Sequence, residues 1–69
     1  MTPAQTRAAA SAYVRAIRAR LDHANTPSEH HAIAADVDRF LLQPGGHLLT
    51  DPQRRNLTRM AATARKRAA

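Results

Sequence analysis

The sequence predicts an all-α fold, a small three-helix bundle, and three observations carry that prediction. A helix-start signal recurs three times, apolar residues follow each one at helical spacing, and asparagine, proline or glycine interrupts the pattern in between. With 69 residues the chain has material for one hydrophobic core, so residues 1–69 are read as a single domain.

The start signals are Thr2-Pro3-Ala4-Gln5, Thr26-Pro27-Ser28-Glu29 and Thr50-Asp51-Pro52-Gln53. In each, the Thr hydroxyl is placed to accept an N–H of the first turn, and the Gln or Glu three residues on is placed to reach back to the Thr N–H, as in a capping box. Proline directly after Thr in the first two suits the first helical position, where no donor is needed. In the third, either Thr50 or Asp51 can serve as the cap.

The first helix is predicted over 3–24. At about 100° per residue, Ala10, Tyr13, Val14, Ile17, Leu21 and Ala24 share one arc. Asn25 is expected as a left-handed stop, and the next cap follows at once, so the first two helices should form an antiparallel hairpin. The second helix is predicted over 27–42, with His30, Ile33, Ala34, Val37, Phe40 and Leu41 on one face. Gln43-Pro44-Gly45-Gly46 ends it, because Pro removes a donor and the glycines permit positive φ. The third helix is predicted over 52–66, with Gln53, Leu57, Met60, Ala61, Ala64 and Ala68 inward, and 65–69 is expected as a frayed basic tail. Phe40, the single Phe, is the largest apolar group expected in the core. In the linker, Leu48 and Leu49 either close the open end of the bundle beside Leu42 or stand exposed as an anchor for a partner.

Several chemistries find no support in these residues. There is no cysteine, hence no disulfide or thiolate site. No apolar run approaches the roughly 20 residues of a membrane span, and the first residues lack the basic-then-apolar pattern of a leader, so a cytoplasmic protein is expected. Asn56-Leu57-Thr58 spells a glycosylation acceptor but falls inside a helix. Four residues after His30 and His31 come Ala34 and Ala35, so helical chelation spacing is absent there; His31 and Asp38 share a face but lie about 10 Å apart by helical rise. No metal or other cofactor is expected; His30 should be a half-buried core residue and His47 a loop residue. Ser11 and Ser28 have no histidine and carboxylate at readable spacing, and Asp36 and Asp38 project about 160° apart. Gly45-Gly46 follows a helix and lacks a Lys-Ser/Thr ending. The chain is therefore read as a non-enzyme.

Charge is the informative feature. The formal net charge is +6 with ten Arg and one Lys, which points to an anionic partner, nucleic acid foremost. Sixteen Ala beside those Arg also match the codon usage of a GC-rich bacterial or phage genome, and that bias accounts for the Arg excess equally well. Residues 1–25 sum to +3, residues 26–49 to −2 and residues 50–69 to +5, so an acidic helix lies between two basic ones. Glu29 and Asp36 are expected to face Arg7 and Arg18 of the first helix, or Arg54 and Arg65 of the third. Arg55, Arg59 and Lys66, with Ala62, then form a stripe nearly opposite the apolar face of the third helix. Arg54, Asn56, Thr58 and Thr63 adjoin it, and such a stripe can lie along a phosphate backbone. Cations in the last turn also complement the helix dipole.

A helix-turn-helix is disfavoured, because the connection from the second to the third helix runs about eight residues where the motif has three or four. Ala8, Ala9, Ala12, Ala16 and Ala19 form a smooth face on the first helix, suited to a close-packed partner or second copy, although helix propensity alone explains such a run. Two functions follow. One is a small basic accessory protein holding nucleic acid mainly by phosphate contacts through Arg55, Arg59, Lys66, Arg54 and Thr58. The other is a protein-interaction module, an adaptor or inhibitor of a larger acidic host protein, docking through Ala8, Ala12, Ala16 and Ala19 or through Leu48 and Leu49. Membrane-surface binding ranks below both, because Trp is absent and the single Phe lies on a core face.

Overall fold

Three helices make up the fold: α1 over Pro3–His23, α2 over Pro27–Leu42 and α3 over Asp51–Ala68. The computed structural model describes residues 3–43, 46 and 49–69, with side chains from residue 7 onward. Among the described residues there is no strand, so the expected all-α bundle is observed.

The caps follow the threonines. Thr26 is extended (φ −123°, ψ 151°) and its Oγ1 accepts from the Glu29 N–H at 3.1 Å. The Thr26 hydroxyl also donates to Glu29 Oε1 at 2.9 Å, so Glu29 braces the cap through the hydroxyl. At α3 the capping box is complete. Thr50 Oγ1 accepts from Gln53 N at 3.2 Å and Gln53 Oε1 accepts from Thr50 N at 2.9 Å. Thr50, not Asp51, is thus the cap, and Pro52 takes the second helical position. The corresponding signal at Thr2 lies outside the described residues.

Helix ends depart from expectation in two ways. No described residue has positive φ, so Asn25 is not a left-handed stop; Ala24 N still bonds Arg20 O at 2.8 Å and the chain passes directly into the extended Thr26. At its far end, α3 continues to Ala68, two residues beyond the expected limit. Residues 65–68, expected as a frayed tail, are helical; Ala64 is fully buried and Arg65 is held by Asp38, which ties down this turn.

Gly46 is buried for a reason other than backbone freedom. Its φ is not positive, but a Cβ there would come within 2.7 Å of the Leu41 carbonyl oxygen and 3.1 Å of that of Phe40. Its N–H bonds Gln43 O at 2.9 Å, its carbonyl accepts from the Arg54 guanidinium, and Leu49 N follows at 3.4 Å from the same oxygen. The glycine lets the chain double back tightly against the end of α2.

The core is assembled at i, i+3, i+4 and i+7 spacing from Ala10, Ile17 and Leu21 of α1, His30, Ile33, Ala34 and Val37 of α2, and Leu57, Met60, Ala61 and Ala64 of α3. Leu49 plugs the end at 8% exposure, while Tyr13, Val14, Phe40 and Leu41 are only partly buried against this centre. Leu42, the last residue of α2 and off the inner face that ends with Leu41, is 88% exposed. His30 Nδ1 lies 2.8 Å from Thr26 O; a carbonyl only accepts, so Nδ1 donates, and Nε2 is buried without a hydrogen-bond partner among the described residues. The first hairpin is antiparallel as expected: Tyr13 meets Phe40, whereas Arg20, further along α1, meets Asp36, further back along α2.

Two stability outcomes follow. Leu57→Ala should cost about 2 to 5 kcal/mol, because the side chain is fully enclosed, whereas Phe40→Ala should fall below the roughly 3 kcal/mol at which full Phe burial begins to register. Urea unfolding in which Phe40→Ala is the more damaging would contradict this core. Gly46→Ala should destabilise by about 1 to 3 kcal/mol through overpacking against backbone, and an unchanged urea midpoint would refute the close approach.

Candidate nucleic-acid interface

Each acid of the chain has a definable place. Asp36 on α2 takes Arg20 of α1 at 2.7 Å and Arg39, three residues on, at 3.6 Å. Asp38, on the other flank of α2, takes Arg65 of α3 at 2.9 Å. Glu29 is engaged by the Thr26 hydroxyl, and Asp51 sits in the first turn of α3, where a negative charge complements the helix dipole. Asp22 is exposed on α1. The ion pairs are solvent-exposed and individually worth at most about 1 kcal/mol; their significance is which arginines they occupy.

The pairing differs from the sequence-based expectation. Asp36 is matched by Arg20 and not by Arg7 or Arg18, and Arg65 is matched by Asp38 and not by Glu29 or Asp36. Around α1, Arg20 lies on the flank beside α2, whereas Arg7 and Arg18 project elsewhere, so neither can reach those acids. Among the described residues, Arg7, Arg15 and Arg18 enter no ion pair. Arg15 was not distinguished by its sequence context; that no acid of α2 pairs with it appears only once the helices are placed.

On α3 the stripe of Arg55, Arg59 and Lys66 is exposed along its length, and none of the three enters an ion pair among the described residues. Pro52, Arg55, Asn56 and Arg59 line an open hollow of ≈ 540 Å³. Arg54 does not join them. It is partly buried and its guanidinium donates to the Gly46 carbonyl, a structural engagement that turns it toward the α2–α3 junction. Thr58 is exposed beside the stripe and its hydroxyl donates to Arg54 O at 2.9 Å, which leaves its lone pairs but not its proton for another partner.

Of the alternative docking residues, Ala8, Ala12, Ala16 and Ala19 are all exposed. Leu49 is buried in the core and cannot serve as an exposed anchor, because the turn at Gly46 folds it under the bundle; Leu48 lies outside the described residues, as does His47. No group of three or more His, Cys, Asp or Glu able to hold a metal ion occurs among the described residues. Among the described residues, no helix is long and apolar enough to cross a membrane.

Beside Asp36, Tyr13 and Phe40 stack with ring centroids 3.8 Å apart and planes at 17°, and the Tyr13 hydroxyl donates to Asp36 O at 3.2 Å. These residues, with Arg20, Arg39 and Gln43, border a second hollow of ≈ 230 Å³ on the α1–α2 side. Its two arginines share the one carboxylate of Asp36, which leaves a single unneutralised charge there.

Compared with protein families, curated proteins and solved structures, the chain matches none of them. The functional reading therefore rests on the geometry and charge of the chain itself.

Tyr13 provides a spectroscopic check on the Asp36 cluster. Burial raises the phenol pKa above 10.0, the Asp36 carboxylate raises it further, and Arg20 and Arg39 oppose both. Because the folded state favours the protonated phenol, the stability it contributes is complete below the unfolded value near 10.0 and is lost as pH rises through the higher folded value. Absorbance at the phenolate band, which reports this single Tyr without Trp interference, should titrate above 10.0, and Asp36→Asn should lower the midpoint. An unshifted midpoint in the native protein would mean the ring is solvated.

Proposed function

We propose that this is a small, basic, cytoplasmic accessory protein that binds nucleic acid mainly by phosphate contacts through α3. The observation that carries the reading is the stripe of Arg55, Arg59 and Lys66, exposed and without a carboxylate partner among the described residues, while the acids of α2 are engaged by Arg20, Arg39, Arg65 and Thr26. An uncompensated guanidinium row is suited to phosphate, which accepts bidentate hydrogen bonds and releases counterions when neutralised. Binding of this kind requires neither catalysis nor a cofactor, and none is proposed.

A protein-interaction module, an adaptor or inhibitor of a larger acidic protein, is the second reading. Leu42, 88% exposed at the end of α2, and the exposed alanine face of α1 favour it, and the same alanine face would serve if the chain pairs with a second copy of itself.

Salt dependence separates the two readings. Affinity for a labelled duplex should fall steeply with salt, each phosphate contact contributing roughly −0.9 to the log–log slope, and replacing Arg55, Arg59 and Lys66 by Gln should flatten it by about two to three units. Circular dichroism of that variant should stay native, because the stripe points away from the core. Absence of binding at about 50 mM salt, or an unchanged slope in the triple variant, would sink the nucleic-acid reading and leave the interaction module.

A further inference from the structure

The relative directions of the three helices decide where the remaining arginines project. α2 runs antiparallel to α1, through Tyr13–Phe40 and Arg20–Asp36, and antiparallel to α3, through Arg54–Gly46 near its end and Arg65–Asp38 further back. Helices α1 and α3 are therefore parallel, and the hydrogen bond from Gln53 Nε2 to Ser11 Oγ at 3.3 Å marks the flank of α1 that borders α3. At about 100° per residue, Arg7, Arg15 and Arg18 all lie within about 40° of Ser11 around α1, with the exposed Asp22 among them as the one acid on this flank of α1, whereas the paired Arg20 lies about 180° away.

Helix α3 shows the matching arrangement. Its flank toward α2 is fixed by Arg65, so its opposite flank, toward α1, carries the half-buried Asn56 and Thr63, then Arg67, with Arg59 and Lys66 just outside them and Arg55 at the edge. Both helices thus turn cations to the α1–α3 face, where no ion pair crosses between elements among the described residues. The apportionment is complete in charge. Arg20, Arg39, Arg54 and Arg65 offset Glu29, Asp36, Asp38 and Asp51 on the remaining surface, so the seven other cations, less Asp22, account for the whole net charge of +6.

The geometry points to the α1–α3 face as a single two-helix surface for the backbone of a nucleic-acid duplex, with Arg7, Arg15 and Arg18 as phosphate ligands equal in weight to the α3 stripe. This rests on the nucleic-acid reading and reverses the sequence-based expectation that Arg7 and Arg18 are consumed by α2. Arg7 to Arg18 and Arg55 to Lys66 each span eleven residues, about 16 Å of helix, so the face presents two parallel cation rows of equal length. A duplex, with its two phosphate strands, presents two rows of the opposite charge. A single strand fits less well, because it is ordinarily held by stacking on aromatic rings, and both aromatics of this chain are stacked on each other beside α2. The floor of the face, Ser11, Asn56 and Thr63, is polar and half-buried, and offers hydrogen bonds without side chains long enough to read base edges.

The test uses the full chain with a labelled DNA duplex, a single strand of the same length, and polyglutamate. Changing Arg7, Arg15 and Arg18 together to Gln should flatten the salt slope on the duplex by about two to three units, as much as the α3 triple variant, and combining the two sets should abolish measurable binding. A charge-matched control, Arg20, Arg39 and Arg65 to Gln, should change the slope by less than about one unit. Because all these positions are exposed, native circular dichroism is expected for each; should a triple variant unfold, Arg18→Gln alone must still flatten the slope by roughly one unit. If the α3 variant flattens the slope and the α1 variant does not, the two-helix face is overturned while α3 binding stands. If the control matches the α1 variant, only net charge matters and the face is overturned. Tighter binding to the single strand or to polyglutamate would overturn the duplex assignment, and no binding by the native chain would remove both this proposal and the reading beneath it.

Discussion

The position without a side chain at Gly46 governs the rest of the molecule. There the chain passes within van der Waals contact of two carbonyl oxygens at the end of α2, and a methyl group would not fit. The Gly46 carbonyl then faces Arg54, Leu49 enters the core, and Thr50 caps α3 within a few residues. This junction sets the line along which α3 returns over α2. Because a helix has one apolar stripe, the line also decides which of its cations project outward and which meet α2. Arg65 reaches Asp38 and Arg54 folds inward, whereas Arg55, Arg59 and Lys66 are left to solvent.

Local chemistry made much of the fold legible in the sequence. Threonine caps and apolar spacing act within a turn or two, so α2 and α3 begin where Thr26 and Thr50 place them, and Ile17, Ile33, Val37 and Leu57 are buried where the helical period puts them. Properties that depend on the third dimension were not legible. Phe40 is on the inner face by period but lies near its margin, where it stacks on Tyr13 and stays half-exposed. Leu42 and Leu49 have similar sequence surroundings, yet one is outside and the other inside, because a reversal at Gly46 separates them. The ion pairs were misassigned for the same reason: a one-helix projection gives the azimuth of a charge but not which neighbour stands there.

The stripe on α3 was visible in the sequence, since it needs only the helical period and a count of acids on the same helix. The contribution of α1 was not. The helical period sets Arg20 apart from Arg7, Arg15 and Arg18, but only the antiparallel hairpin shows that Arg20 is the one that faces Asp36. The acids of α2 thereby act as a sorting element. Individually the exposed pairs add little stability, but together they cancel positive charge on two sides of the bundle and leave it concentrated on the third.

The alanines of the core have a thermal consequence. Ala10, Ala34, Ala61 and Ala64 are buried where larger side chains are usual, so little apolar area is hidden per residue. The heat-capacity increment of unfolding scales with that area and should lie at or below the usual figure, about 0.9 kcal/mol/K for a chain of this length. The unfolding enthalpy, on the order of 50 kcal/mol near 60 °C, is correspondingly small. A transition driven by so modest an enthalpy is broad, with a measurable unfolded fraction well below its midpoint. Any ligand that prefers the folded chain draws down that fraction by mass action, so occupancy and the apparent melting temperature of this protein should rise together.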